Sequence, residues 1–242
     1  MNLWSMRRLF AMTACLFLAA SLWDATALDL PLARLAGGPA GFAWRSDARF
    51  VLWLHEVPRW LSSAALLALA CGVKWPWGAL RRLAPADRLQ LVVAILGAMA
   101  AVTVLKRISA SSCPWDLAEF GGVARYVSHW NWLARDEGGG HCFPGGHASA
   151  AFAYLAAWFV LRRTAPSVAR WWLVGALAAG VVLGVAQQAR GAHYMSHTFW
   201  SAWVCFATGL AVEWGFAALR RWPGGVWRRG QGLSADTKLN ET

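Results

Sequence analysis

Six long apolar runs separated by short polar clusters set the pattern of this chain. They fall at about Leu9–Leu28, Pro58–Val73, Leu89–Leu105, His147–Val160, Trp171–Ala189 and His197–Leu219. A helix needs about 20 apolar residues to cross the hydrocarbon layer of a bilayer. The second and fourth runs are short, so their helices are predicted to extend into the aromatic-rich residues that flank them. No internal repeat and no second domain are visible. The pattern predicts an all-α fold: a polytopic bundle of six transmembrane helices forming one domain over 1–242, with its chemistry-bearing core at about 89–214. The tail over 222–242, Gly-rich and then polar, is expected to be disordered.

The first run admits two readings. Arg7 and Arg8 precede it and Ala25-Thr26-Ala27 follows it, which is the layout of a cleavable signal peptide. Five further spans follow, and a retained first span serves the same targeting purpose, so a retained helix is expected. The connection from Asp29 to Val57 contains Gly37-Gly38-Pro39 and is expected to hold a short helix lying on the surface. The connection from Arg107 to Gly146 is long for a loop without a role. Its Trp115, Tyr126, Trp130 and Trp132 suggest that it lies along the lipid interface.

Composition supports the membrane reading. Of 242 residues 58% are hydrophobic, only 14% are charged, and 18 are Trp. A net charge of +11 would suit nucleic acid, but the cations come as pairs between apolar runs: Arg7-Arg8, Arg81-Arg82, Arg162-Arg163 and Arg220-Arg221. Such pairs read as cytoplasmic anchors, so a nucleic-acid partner is excluded. The bias puts both termini in the cytoplasm of a bacterial inner membrane, multi-pass, and turns three further segments to the periplasmic face.

Those three segments carry the candidate chemistry. The first, Lys106 to Trp115, ends the third span. The second is Cys142-Phe143-Pro144-Gly145-Gly146-His147, where two glycines free backbone N–H groups at a helix start to receive an anion. The third is Arg190-Gly191-Ala192-His193-Tyr194-Met195-Ser196-His197. Cations, an anion nest and histidines at one point are what phosphoryl transfer through an imidazole requires.

Here the sequence resembles the type 2 phosphatidic acid phosphatase superfamily, which carries Lys-x6-Arg-Pro, Pro-Ser-Gly-His and Ser-Arg-x5-His-x3-Asp segments in this order. Lys106 and Pro114 fit the first segment, with Cys113 in place of Arg. Pro144, Gly146 and His147 fit the second, with Gly145 in place of Ser. Arg190 and His197 fit the third with one extra residue between them, and Ser201 stands in place of Asp. The resemblance implies a membrane lipid phosphatase, with His197 as nucleophile, His147 as general acid and Arg190 beside them. Lys106, Arg107, Gly145, Gly146 and His193 would then bind phosphate, with no metal or cofactor. His193 is also a rival nucleophile.

The missing Asp removes the group that would orient the nucleophile. Ser201 could accept a hydrogen bond in its place, and Asp116 or Glu119 could supply a carboxylate. Cys113 and Cys142 each flank a motif on the oxidising side, and a disulfide between them would brace the first segment against the glycine corner. The implied substrate is a lipid phosphate or pyrophosphate in the bilayer. Phosphatidic acid, phosphatidylglycerol phosphate, undecaprenyl pyrophosphate and lipid A present suitable heads. The alternatives are a phosphotransferase using the same histidine, an inactive anionic-lipid binder, a metal site built from His141, Cys142, His147, His193 and His197, and thiol exchange at Cys113 and Cys142.

Overall fold

A computed structural model describes residues 3–131 and 133–221; Trp132 and the tail expected to be disordered lie outside the described residues. Helix α1 spans Leu3–Ala25 and is followed by α2 (Asp29–Arg34) and a two-stranded antiparallel hairpin, β1 (Gly37–Gly38) and β2 (Gly41–Phe42). Helix α3 (Ala48–Val51) runs through a π-helical turn at Leu52–Glu56 into α4 (Val57–Lys74). Then come α5 (Pro85–Ile108), α6 (Gly146–Phe152), α7 (Ala156–Leu161), α8 (Pro166–Ala189) and α9 (Met195–Arg221). Proline opens α5 and α8, where its missing N–H costs nothing and its fixed φ suits the helix.

Among the described residues, five helical stretches are long and apolar enough to cross a membrane: Met6–Ala25, Ala48–Arg82, Pro85–Ile108, Pro166–Ala189 and Met195–Arg221. The fourth predicted span is apolar but shorter, Gly146–Leu161, and a 3₁₀ turn at Ala153–Leu155 divides it into α6 and α7. Its residues explain why it can be short. Phe152, Ala153, Leu155, Ala156, Ala157 and Phe159 are all buried, so this segment is the axis of the bundle and faces α5, α8 and α9 rather than lipid.

Close approach at this axis depends on glycine, at Gly180 against Phe152 and at Gly209 against Phe159. A β-carbon at Gly180 of α8 would stand 2.2 Å from the Phe152 ring, whereas one at Gly175 would meet nothing within 4 Å. Overpacking a filled core costs about 1–3 kcal/mol. Gly180→Val is therefore expected to lower the melting temperature in detergent by about 3–10 °C, with Gly175→Val nearly neutral by the same melt.

The two ends of the bundle differ. At one end Glu213 of α9 is buried, accepting from Gln90 Nε2 at 2.6 Å and pairing with Arg162 and Arg163, while Arg220 bonds Asp87 and Gln90. At the other end α1 is stitched to α9. Trp203 Nε1 donates to Thr13 O at 3.0 Å, Trp200 Nε1 donates to Asp24 Oδ2 at 2.8 Å, and Ser196 N donates to Asp29 Oδ1 at 3.0 Å.

A second, smaller core lies above this latter end, built from Ala33, Phe42, Leu117, Phe120, Ala124 and Tyr194. Phe42 reaches it from the hairpin by packing on Gly191, whose φ of +73° suits glycine and whose β-carbon would fall inside the ring. The long connection is correspondingly folded. Asp136, buried within it, accepts from Ser112 N at 2.6 Å, Ser112 Oγ at 3.0 Å and Gly138 N at 3.0 Å. Tyr126 and Trp130 are exposed. Trp115 departs from the lipid-facing expectation: its ring lies between the guanidinium groups of Arg45 and Arg190, 4.9 and 5.9 Å from its centroid.

Candidate active site

The last turn of α5 carries Lys106 and Arg107, and a cavity of about 520 Å³ opens beside it. Arg59, Lys106, Arg107, His141, Gly146 and Ser149 supply its polar wall, and Met99, Val102 and Ala150 its apolar one. A phosphate head with an attached tail matches that division.

The glycine corner is clamped to its neighbours by main-chain bonds. His141 N donates to Ser109 O at 2.8 Å, Cys142 N to Ser111 O at 3.0 Å and Gly145 N to His197 O at 3.2 Å. Cys113 and Cys142 are joined by a disulfide bond (Cα–Cα 5.2 Å), which ties the segment after α5 to the corner. Gly145 is a correction to the sequence reading. Its N–H is taken by His197 O, and a β-carbon there would sit 3.4 Å from both His197 O and Ser201 Oγ. Gly145 therefore offers no donor to an anion, and a β-carbon there would meet α9 only at ordinary contact distance, while Gly146 does line the cavity.

Ser201 is corrected likewise. Its hydroxyl donates to the carbonyls of His197 at 2.7 Å and Gly145 at 2.9 Å, so it locks the first turn of α9 to the corner and does not serve an imidazole. Nor do the loop carboxylates fill the place of the missing Asp. Asp116 Oδ2 lies 3.3 Å from Cys113 N, which donates to it, and Glu119 pairs with Arg34 on the surface.

His147 opens α6, half-buried, with its ring 3.9 Å centroid to centroid from that of His55. His55 is placed by the π-helical turn before α4, whose extra residue per turn re-aims the side chains that follow. Its Nδ1 lies 2.9 Å from Glu56 Oε1, and Glu56 also pairs with Arg59 at 2.7 Å. The structure sets His55 against His147 and Arg59 in the cavity wall.

Arg190, at the end of α8, is buried and held in place. Nη1 donates to Gln187 Oε1 at 3.1 Å and Nη2 to Arg45 O at 3.1 Å. Its Nε is buried and has no hydrogen-bond partner among the described residues, so that donor is open to an anion.

His193 and His197 face each other, Nδ1 to Nδ1 at 3.4 Å. Their surroundings differ. The groups whose charge acts on His193 are Lys106, His197 and His147, whereas for His197 they are His129 and Lys106. The Lys106 charge therefore reaches both rings, and that of His147 is felt at His193. His197 is 1% exposed and is boxed by the rings of Tyr194, Phe143 and His129 at 5.2, 5.2 and 5.8 Å. Burial, followed by the Lys106 ammonium, holds His193 well below the ordinary imidazole range, so it remains neutral at physiological pH.

The candidate metal ligands do not assemble into a ligand set. Cys113, Cys142 and His193 converge within 4.8 Å, but both sulfurs are spent on the disulfide, and thiolate is the form that binds metal. His141 turns its Nδ1 to Lys106 O at 3.3 Å.

Apolar helices with imidazoles and cations gathered at one bundle end define a membrane protein. The chain belongs to the PAP2 superfamily, which is matched over residues 87–221. Among solved structures it is similar to the first transmembrane PAP2-type phosphatidylglycerolphosphate phosphatase from Bacillus subtilis. That likeness covers 89% of this chain and 95% of the other, at TM-score 0.50 and 14% identity. No curated protein matches the sequence. Family and fold together support a membrane lipid phosphatase.

Proposed function

We propose that the protein hydrolyses a lipid phosphate monoester or pyrophosphate through a phosphohistidine, with His193 as nucleophile. The reading includes a six-span bundle with both termini in the cytoplasm and a site at the periplasmic face of a bacterial inner membrane. The observation that carries it is the meeting of Lys106, His147, Arg190 and the paired imidazoles of His193 and His197 at one end of the bundle.

This assignment moves the nucleophile one turn from His197, where the motif first placed it. His193 and His197 have the His-x3 spacing of the family segment, so in this register His197 takes the position of its carboxylate. The Arg of that register falls on Gln187, and Arg190 is hydrogen-bonded to it. In the first step His193 Nε2 forms a bond to phosphorus while the bond from phosphorus to the leaving oxygen breaks. That oxygen takes a proton from His147. In the second, water attacks phosphorus, gives a proton to His147, and the P–Nε2 bond breaks. Lys106 and Arg190 Nε balance the charge on the equatorial oxygens.

The test is phosphate release by the detergent-purified protein in excess chelator, from phosphatidic acid, phosphatidylglycerolphosphate and undecaprenyl pyrophosphate. Release that survives chelation is the expected result. No release from any of the three would reject the phosphatase reading, and release abolished by chelator would return the metal alternative.

A further inference from the structure

Behind His197 stand two polar groups that the chemistry above leaves unused. Asp24, in the last turn of α1, carries a carboxylate whose Oδ2 accepts from the indoles of Trp130 and Trp200, each at 2.8 Å. The same oxygen lies 3.3 Å from His129 Nε2, a contact without hydrogen-bond alignment, and both Asp24 Oδ1 and His129 Nε2 are buried with no hydrogen-bond partner among the described residues. His129 lies flat on Phe143 (4.1 Å between centroids, 6°) and edge-on to His197 (5.8 Å, 82°). His197 in turn meets His193 Nδ1 to Nδ1. Carboxylate, imidazole, imidazole and nucleophile therefore follow one another from α1 through the long connection to α9.

We propose that Asp24 is the carboxylate serving the nucleophile at a distance, a positioning residue acting across His129 and His197. The argument has two parts. Two facing Nδ1 atoms share one proton. With His197 as acceptor, His193 carries its proton on Nδ1 and keeps the Nε2 lone pair for phosphorus. Second, the imidazole becomes cationic when Nε2 bonds to phosphorus, and a negative charge held in a water-poor interior stabilises that cation more than it would in water. An isolated carboxylate is costly to bury; here two indole donors hold it beside the His129 imidazole. The negative charge that Ser201 cannot provide comes from a helix outside the family-matched residues.

The inference rests on His193 being the nucleophile, and the experiment separates the two claims. Full-length protein in detergent is assayed with phosphatidic acid or phosphatidylglycerolphosphate, whichever the wild type hydrolyses faster. Turnover surviving in His193→Ala would defeat the nucleophile assignment itself. With that assignment intact, Asp24→Asn keeps an oxygen for both indoles but loses the charge. It is expected to lower kcat about 10- to 100-fold with KM changed less than about twofold. In a His197→Asp background, where a carboxylate stands directly on His193, the same substitution is expected to cost less than about threefold.

An equal loss in both backgrounds, a loss confined to KM, or an unchanged kcat would overturn the proposal and leave Asp24 a structural clamp. If His197→Asp does not yield folded protein, Asp24→Asn is combined with His129→Gln instead. Losses that fail to add support the coupled array, and additive losses overturn it.

Discussion

His193→Ala is expected to abolish turnover, with a loss of about 10⁴-fold or more in kcat, and to abolish acid-labile labelling of the protein by phosphate from the substrate. The size follows from the role: without Nε2 no covalent intermediate forms, and the cations can only bind the phosphate. The same substitution removes one member of the Nδ1–Nδ1 pair with His197 but leaves the disulfide and the main-chain clamps of the glycine corner intact. Helical content should therefore be preserved by circular dichroism. His197→Ala is the contrasting case, slowed but still labelled, because it loses the partner and keeps the nucleophile. Labelling that persists in His193→Ala and vanishes in His197→Ala would reverse the assignment. The pH profile carries a sign as well. Burial and Lys106 depress His193, and the neutral ring is the reactive form. The acidic limb that His193 imposes on kcat/KM is thus expected below the ordinary imidazole range, not above it.

His147→Gln should lower kcat on a lipid phosphate by about 10²- to 10⁴-fold, the range for loss of a general acid. Much of that loss should disappear with an aryl phosphate whose phenol leaves without needing a proton. Glutamine preserves a polar side chain beside His55, so a packing defect would slow both substrates alike. Equal losses on the two would remove His147 from the acid role and leave it a phosphate ligand. His55 and Glu56, in contact with each other behind His147, are placed to orient its ring, so His55→Gln is expected to give a weaker copy of the same pattern.

Much of this molecule is legible from period and composition. The apolar runs locate the helices to within a few residues, because bilayer thickness leaves little latitude for a spanning segment. The short fourth run has a packing explanation that hydropathy does not contain: Gly146–Leu161 is surrounded by protein. The glycine corner and the cations at the ends of α5 and α8 are local signals and stand where the sequence suggests. What eludes the sequence is long-range. Asp24 and His129 are separated by most of the chain before they meet, and His55 reaches His147 from another helix through a π-helical turn. The choice between His193 and His197 is of the same kind. Both have plausible spacing, and only their neighbours tell them apart. Gly145 misleads because an N–H that looks free for a ligand in sequence is spent on a carbonyl of a helix distant in the chain.

The small core of Ala33, Phe42, Leu117, Phe120, Ala124 and Tyr194 lies above a bundle whose long helices are solvated by lipid or detergent. Water drives the burial of the small core, whereas helices already within a bilayer associate chiefly through close packing and polar contacts. The two parts therefore answer to different solvents. A denaturant in the aqueous phase is expected to act first on the small core that packs on Gly191 beside Arg190, so activity should be lost while the membrane scaffold still stands. Inactivation should then precede unfolding, and a preparation that retains its helices is not for that reason a working one.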